Sequence, residues 1–526
     1  MIAVDAPTAV QSVDWAALSP VLAPAVAMLA VLLLDAAVPP RAGGRGRWVR
    51  RLHDLLALAG LVGAGVAVGW LARPYLSVGG AAAGSAQDRA TVCVAGGDAV
   101  LPSCSFVVSP LTLALQGIVV LGAVICVLLA LDGPGAADRP PHHALLLAAV
   151  TGSLALAGAR DLATLVVALE TATLPVVGMV AVRRDAQGAQ SALTFLLTTI
   201  ASLGLLVLGC ALLLLSTGSL HLDRIATVLA ADGLPSSVTA VAVLGTLLAV
   251  AGIGFKLSAV PFHLWTPDTY AGAPLPVAAF LSVVSKAAGL SAAVLLLGLA
   301  VPVLAERWAP VVGVLAALTV TVGNLVALRQ RVAVRLLAWS TVAQAGWVLL
   351  PLGAAGAGSP GGSDQVRAAV AASVGYLLAF VVASLAVFCV VVLVARHHPA
   401  GEEHTLEAYR GLVRREPVAS AVLALGLACL AGLPPGVVGL VAKVVAVRPL
   451  VDGEVWWLAG VAAVNVALGL AYYLRWAALL AARPVATPPV WRVRPAEGLA
   501  LGAAGALCVV LSVWPQAVAA LVPTLG

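Results

Sequence analysis

The chain is 526 residues long, 62% hydrophobic and only 10% charged, with a mean hydropathy of +1.07. A soluble domain carries about a quarter charged residues, so this composition excludes one and indicates a polytopic membrane protein. The formal charge of +6 does not indicate nucleic acid, because the arginines are spread one loop at a time with no basic patch interleaved with aromatics.

A spanning helix needs about 20 apolar residues. Apolar runs between polar punctuation predict fourteen: 17–38, 53–72, 110–131, 143–158, 162–181, 190–215, 238–267, 276–300, 309–328, 334–353, 368–395, 418–447, 456–480 and 496–520. The opening MIAVDAPTAVQSVDW has no basic n-region, so the first span is expected to be retained. With both termini outside, the inner loops hold eighteen arginines, among them Arg41, Arg45, Arg47, Arg139, Arg184 and Arg492, against seven in the outer loops. That is the positive-inside pattern, and one span more or fewer would destroy it.

Two segments, 238–267 and 418–447, are about thirty residues long, beyond what a straight crossing needs. Pro261 and Pro267 interrupt the first, and Pro434-Pro435-Gly436 the second. Proline removes a backbone donor, and the freed carbonyls must find polar partners. Paired broken helices in corresponding halves of a transporter point to inverted repeats and a midplane site. The seven cysteines show neither a CxxC pair nor metal-ligand spacing, so no zinc or iron–sulfur centre is expected in this chain. Cys93 and Cys104 share an outer loop where a disulfide is permitted, although spacing alone does not establish the pairing. The other five read as small packing residues.

Only three of the twenty-nine basic residues are lysines, and Lys256, Lys286 and Lys443 all lie inside apolar runs. Ionisable groups there are costly and mark ion or proton paths, and lysine, unlike arginine, can give up its proton. Glu170, in LATLVVALETATLPVVG, is the clearest acid set well inside a span, either a protonated acid hydrogen-bonded to a neighbouring helix or, as the sharper reading, the partner of Lys256. Moving one proton across about 150 mV costs roughly 3.5 kcal/mol, the equivalent of about 2.5 pKa units at one site. One ion pair that opens and closes in a poorly solvated site is enough for that. His263 follows Lys256 by seven residues, on the same face if the helix is continuous, and is a candidate relay between the lysines or a satisfied interior residue. Ser258, Ser282 and Ser285 could hold water near the lysines, or serve as small residues at helix contacts. Asp35 and Asp161 lie near span ends and read as interfacial charges.

GFKLSAVPFHLWTPDTYAGAPLPVAAFLSVVSKAAG resembles the central signature of subunit N of bacterial NADH-quinone oxidoreductase (respiratory complex I). VDWAALSPVLAP, DLATLVVALETATLPV, GNLVALRQRVAVRLLAWSTVAQAGW, LAGLPPGVVGLVAK and AVNVALGLAYYLR carry the resemblance in order along nearly the whole chain. It implies an all-α polytopic membrane protein of about 14 transmembrane helices, an antiporter-like fold with two inverted five-helix repeats and broken helices 7 and 12. The repeats would occupy 141–302 and 303–482, after three N-terminal helices in 1–140 and before a last helix in 483–526. It implies a proton-translocating subunit of a translocase that couples electron transfer from NADH to quinone to proton pumping. Glu170, Lys256, Lys286 and Lys443 would form the proton path, with His263 as a relay.

The resemblance further implies no cofactor and no metal in this chain, with FMN, iron–sulfur clusters and quinone in other subunits. The partners would be neighbouring antiporter-like and small membrane subunits, in the bilayer of a bacterial plasma membrane with both termini outside. The chain departs from the pattern at Thr194, where many members carry lysine, and at Gln344, Trp347 and Trp339, which replace histidine, tyrosine and tyrosine, so no relay is carried over to those positions. A subunit of a multisubunit cation/proton antiporter is the alternative, and a scaffold that moves no protons is a third reading.

Overall fold

The computed structural model describes residues 13–38, 44–76, 88–94, 103–131, 139–183, 185–357, 363–397, 405–483, 493–516 and 518. The N-terminal segment through residue 12, Arg41, Arg184 and Arg492, and the side chains of Arg45, Arg47 and Arg139, lie outside the described residues.

The first helix, α1 (Trp15–Ala37), starts where Asp14 accepts hydrogen bonds from the Ala16 and Ala17 amides; α2 (Gly44–Leu76) follows it. Between α2 and α3 (Pro110–Ala130), in what the sequence reads as an outer loop, stands an antiparallel hairpin of β1 (Arg89–Val94) and β2 (Ser103–Val108). Cys93 faces Cys104 across it, and the two form a disulfide. The Thr91 hydroxyl accepts from the Asp14 amide at 2.9 Å, Arg89 pairs with the Asp14 carboxylate at 2.9 Å, and Ser105 O accepts from the Arg160 amide at 2.9 Å. The hairpin therefore ties the start of the chain to the junction of the fourth and fifth spans.

That junction separates α4 (Arg139–Gly158) from α5 (Leu162–Ala181), which Asp161 caps through the Thr164 amide at 2.7 Å. Next come α6 (Ala186–Thr217), the short amphipathic α7 (Leu222–Leu229), α8 (Ser236–Leu257), α9 (Trp265–Gly272) and α10 (Leu275–Leu295), which runs on through a π turn at Leu296–Ala300. The second half holds α11 (Ala305–Ala327), α12 (Ala333–Leu349), α13 (Ser363–His397), α14 (Leu412–Arg415), α15 (Pro417–Ala431), α16 (Val437–Asp452), α17 (Trp456–Ala481) and α18 (Pro495–Val513).

Among the described residues, thirteen helices are long and apolar enough to cross a membrane. A fourteenth crossing is split between α15 and α16, of 15 and 16 residues, each short of a full span. The seventh is split between α8 and α9. The break falls at residues 258–264, around Pro261. Pro267 lies in the first turn of α9, where a missing amide costs nothing. The last span closes at Val513, short of the expected 520.

Spans α10, α12 and α13 are almost wholly buried, whereas α1, α2, α6, α17 and α18 keep large apolar faces exposed, as lipid contact requires. Membrane helices gain no hydrophobic drive from each other and associate through close backbone contact. A Cβ at Gly209 of α6 would stand 2.5 Å from the Ala249 amide nitrogen of α8, so only glycine permits this approach. The α6–α8 pair sets the wall behind Lys256.

Candidate functional site

At the first break, α8 ends at Leu257 with Ser258 in the left-handed region, at φ 61°. Lys256, in the last turn, sends its ammonium to Glu170 of α5, with Nζ 3.2 Å from Oε1. Both groups are buried, and neither has an aligned hydrogen-bond partner in the protein, so the contact is an ion pair. A helix end leaves main-chain carbonyls without intrahelical partners and carries partial negative charge. Lys286 of α10 supplies the cation: its Nζ donates to Lys256 O at 3.1 Å and to the Ser258 hydroxyl. Ser258 Oγ lies 2.6 Å from Thr266 Oγ1 across the break. Trp265 closes the cage, its ring 4.9 Å from the Lys286 ammonium and its indole NH donating to Phe255 O at 3.0 Å.

The second break repeats the theme. Gly432 ends α15 at φ 79°, and Lys443 of α16 donates to Ala431 O at 2.5 Å. Its ammonium lies 5.3 Å from the Trp347 ring, which stacks on Tyr376. A Cβ at residue 432 would meet the Lys443 side chain at 3.0 Å, so glycine serves both the backbone turn and the lysine. Each break thus places a lysine ammonium on a carbonyl that the interrupted helix leaves open.

Neutral polar groups occupy the ground between the two breaks. Ser282 of α10 meets Thr341 of α12 at 3.0 Å. One residue before Thr341, the Ser340 hydroxyl lies 2.5 Å from Tyr473 OH, which accepts from Gln344 Nε2 at 3.1 Å. Tyr376 OH donates to Gln344 Oε1 at 2.5 Å. Beyond these, Tyr472 OH donates to Asn324, whose amide donates to Asn465 Oδ1 at 2.9 Å.

The fold therefore brings Glu170, Lys256 and Lys286 together and sets Lys443 apart at the second break. His263 lies inside the first break. Because α8 is interrupted, the seven-residue spacing from Lys256 does not put both on one helical face. The His263 ring meets Trp339 edge-on at 5.2 Å, and its Nδ1 has no partner. No hydrogen bond among the described residues joins Ser285 to a lysine. Tyr376, Tyr473, Tyr472, Asn324, Asn465 and Thr266 were not among the candidates read from the sequence. For Asn324, Asn465, Tyr472 and Tyr473 the signal was there, since AVNVALGLAYYLR and GNLVALRQR place amides and phenols within apolar spans. Among the described residues, no three or more His, Cys, Asp or Glu side chains are arranged so as to hold a metal ion.

Residues 159–469 match the family model described as NADH:quinone oxidoreductase/Mrp antiporter, transmembrane. The chain is 43% identical to NADH-quinone oxidoreductase subunit N 2 of Streptomyces griseus, over 93% of this chain and 86% of that one. It is 44% identical to NADH-quinone oxidoreductase subunit N of Salinispora tropica, over 90% and 86%. Among solved structures, a chain of respiratory complex I from Thermus thermophilus is 29% identical and superposes with a TM-score of 0.73, covering 96% of this chain and 100% of that one. A chain of the Mrp complex from Dietzia shares the fold, with a TM-score of 0.79 at 19% identity, covering 97% and 96%.

Proposed function

Because the chain belongs to the subunit N family of NADH-quinone oxidoreductase, and so is a proton-translocating, antiporter-like membrane subunit of respiratory complex I, we propose that Glu170, Lys256, Lys286 and Lys443 carry its proton. The observation that supports this most is the Glu170–Lys256 ion pair, whose cation shares a helix end with a second lysine.

A unit charge pair at about 3 Å interacts by roughly 5 kcal/mol at an effective dielectric constant near 20. That exceeds the roughly 3.5 kcal/mol needed to move one proton against about 150 mV. Closing the pair holds a proton on Lys256; opening it leaves a buried ammonium with little to stabilise it, and the proton moves on. Lys286, which donates to the Ser258 hydroxyl at the same helix end, takes it up after passing its own proton onward. Ser282, Thr341, Ser340, Tyr473 and Gln344 then lead toward Lys443 at the second break, each hydroxyl both donating and accepting. His263 lies beside this line and serves as a relay only if its ring turns away from Trp339.

The two inverted repeats lie at 141–302 and 303–482, each holding one break. The arginine-rich loops face the cell interior, with both termini outside. Flavin, iron–sulfur clusters and quinone belong to other subunits, and neighbouring membrane subunits cover part of the exposed apolar faces. Purification of the chain with flavin- and iron–sulfur-containing subunits tests the assembly, whereas purification with antiporter subunits alone would favour the antiporter reading. For the site, Glu170→Gln in the assembled complex should cut proton pumping at least tenfold. Normal pumping by that variant would remove Glu170 from the path.

A further inference from the structure

Three histidines and two aspartates meet at the end of α1, α2 and α4 that carries Arg50 and Arg51, away from the lysines. His53 of α2 is 1% exposed, and neither ring nitrogen has a hydrogen-bond partner. It stands within electrostatic reach of Asp35 on α1, Asp54 beside it and His143 on α4. His143 is equally buried and holds Asp54 through Nε2 at 2.9 Å, leaving Nδ1 unpartnered. His142 meets it edge-on with ring centroids 5.8 Å apart, and its own Nε2 is buried without a partner. The other helix packed on α2, α3, brings only the Cys126 thiol. Helices α5 and α10, packed on α4, carry Glu170 and Lys286 deeper in the bundle.

A structural clamp between α2 and α4 needs only the His143–Asp54 bond. It gives no reason to bury His53 with both nitrogens unmet, which costs stability. Imidazoles change charge near neutral pH, and the Asp35 carboxylate within electrostatic reach of His53 favours one added proton. We propose that this cluster is a second protonatable site, holding one exchangeable proton among His53, His142, His143 and Asp54, and that its charge biases the Glu170–Lys256 pair. On the orientation above it exchanges that proton with the cell interior, and no other bond forms or breaks.

The coupling follows from helix geometry. Gly152 of α4 packs so closely on α5 that a Cβ there would lie 2.4 Å from the Ala172 amide nitrogen, which sets it level with Glu170. His143 precedes Gly152 by nine residues, about 13 Å along the helix at roughly 1.5 Å per residue. At that distance a unit charge shifts a proton equilibrium by about tenfold, for an effective dielectric constant near 20. The coupling rests on the proton-carrying role proposed for Glu170 and Lys256.

The test measures NADH-driven pumping by the assembled complex in inside-out vesicles between about pH 5 and pH 8, across the histidine range. His53→Gln and His143→Gln keep side-chain volume and are compared with Asp54→Asn and Lys256→Ala. The histidine variants should assemble and pump, with the pH of half-maximal pumping displaced by about one unit, a tenfold change in proton concentration. Asp54→Asn should displace it toward lower pH. Histidine-variant profiles that superimpose on the unsubstituted one would overturn the proposal, as would failure of both to assemble, which would make the cluster a packing element. Unshifted profiles with an inactive Lys256→Ala would sink the cluster alone. Normal pumping by Lys256→Ala beside shifted histidine variants would sink the lysine role and leave the protonatable site standing.

Discussion

Lys286 donates to the main-chain carbonyl of Lys256 at 3.1 Å. The cation of α10 thereby reads the end of the helix whose own lysine is paired with Glu170. Any movement of the α8 terminus alters both contacts at once. Lys286→Met should therefore disturb more than a charge. We expect at least a tenfold loss of pumping with the complex still assembled, since methionine fills most of the same volume. Lys286→Arg should not restore it, because a guanidinium keeps its proton. Pumping rates in vesicles, with complex content measured on native gels, check both variants.

Ser258 separates structure from proton transfer. Its backbone sits at φ 61°, where a side chain costs about 1 kcal/mol that glycine avoids. Ser258→Gly relieves that strain but takes one partner from the buried Lys286 ammonium and one from the Thr266 hydroxyl, so the complex should still assemble with a modestly lower thermal stability. Pumping should fall several-fold. An assembled complex that pumps normally would show that the hydroxyl is only a cap.

At the second break, Gln344→Leu keeps the packing but removes the amide that joins Tyr473 and Tyr376. Two buried phenols then lose a partner, at a cost of about 1–3 kcal/mol each. Pumping should drop more than tenfold and the melting temperature should fall by a few degrees. Tyr473→Phe should reproduce the pumping loss with a smaller change in stability.

Outside the membrane, the Arg89 guanidinium, joined by the Ala17 and Ala16 amides, holds the Asp14 carboxyl below its usual 3.8. A folded value below the unfolded one means that the contribution is complete above about pH 3.8 and disappears as pH falls through the folded value. Asp14→Ala should cost about 1 kcal/mol at neutral pH as a lost helix cap. Amide hydrogen exchange at Ala16 and Ala17 should quicken at pH 7 and match the unsubstituted chain once the pH has fallen below the folded value.

Much of this fold is legible in the sequence because a bilayer allows so few solutions. Apolar length, arginine placement and two proline interruptions sufficed to lay out fourteen crossings and to locate their breaks within a few residues. The lysines stood out because charge is rare there. The hairpin at 89–108 was not legible, since six-residue strands between apolar helices leave no periodic signal and its pairing depends on Asp14, far away in the chain. The neutral network is illegible for a related reason. Tyr473, Tyr376 and Asn324 look ordinary one at a time, and only the crossing of α11, α12, α13 and α17 brings them together with Gln344. His263 shows the converse, because a spacing rule drawn from continuous helix loses force where Ser258 turns the backbone.

The most direct test is Lys256→Ala, assembled in the complex and assayed for NADH-driven proton pumping in inside-out vesicles. The complex should form in normal amount while pumping and the coupled reduction of quinone fall at least tenfold. An assembled Lys256→Ala complex that pumps at the unsubstituted rate would contradict the proton path through the Glu170–Lys256 pair.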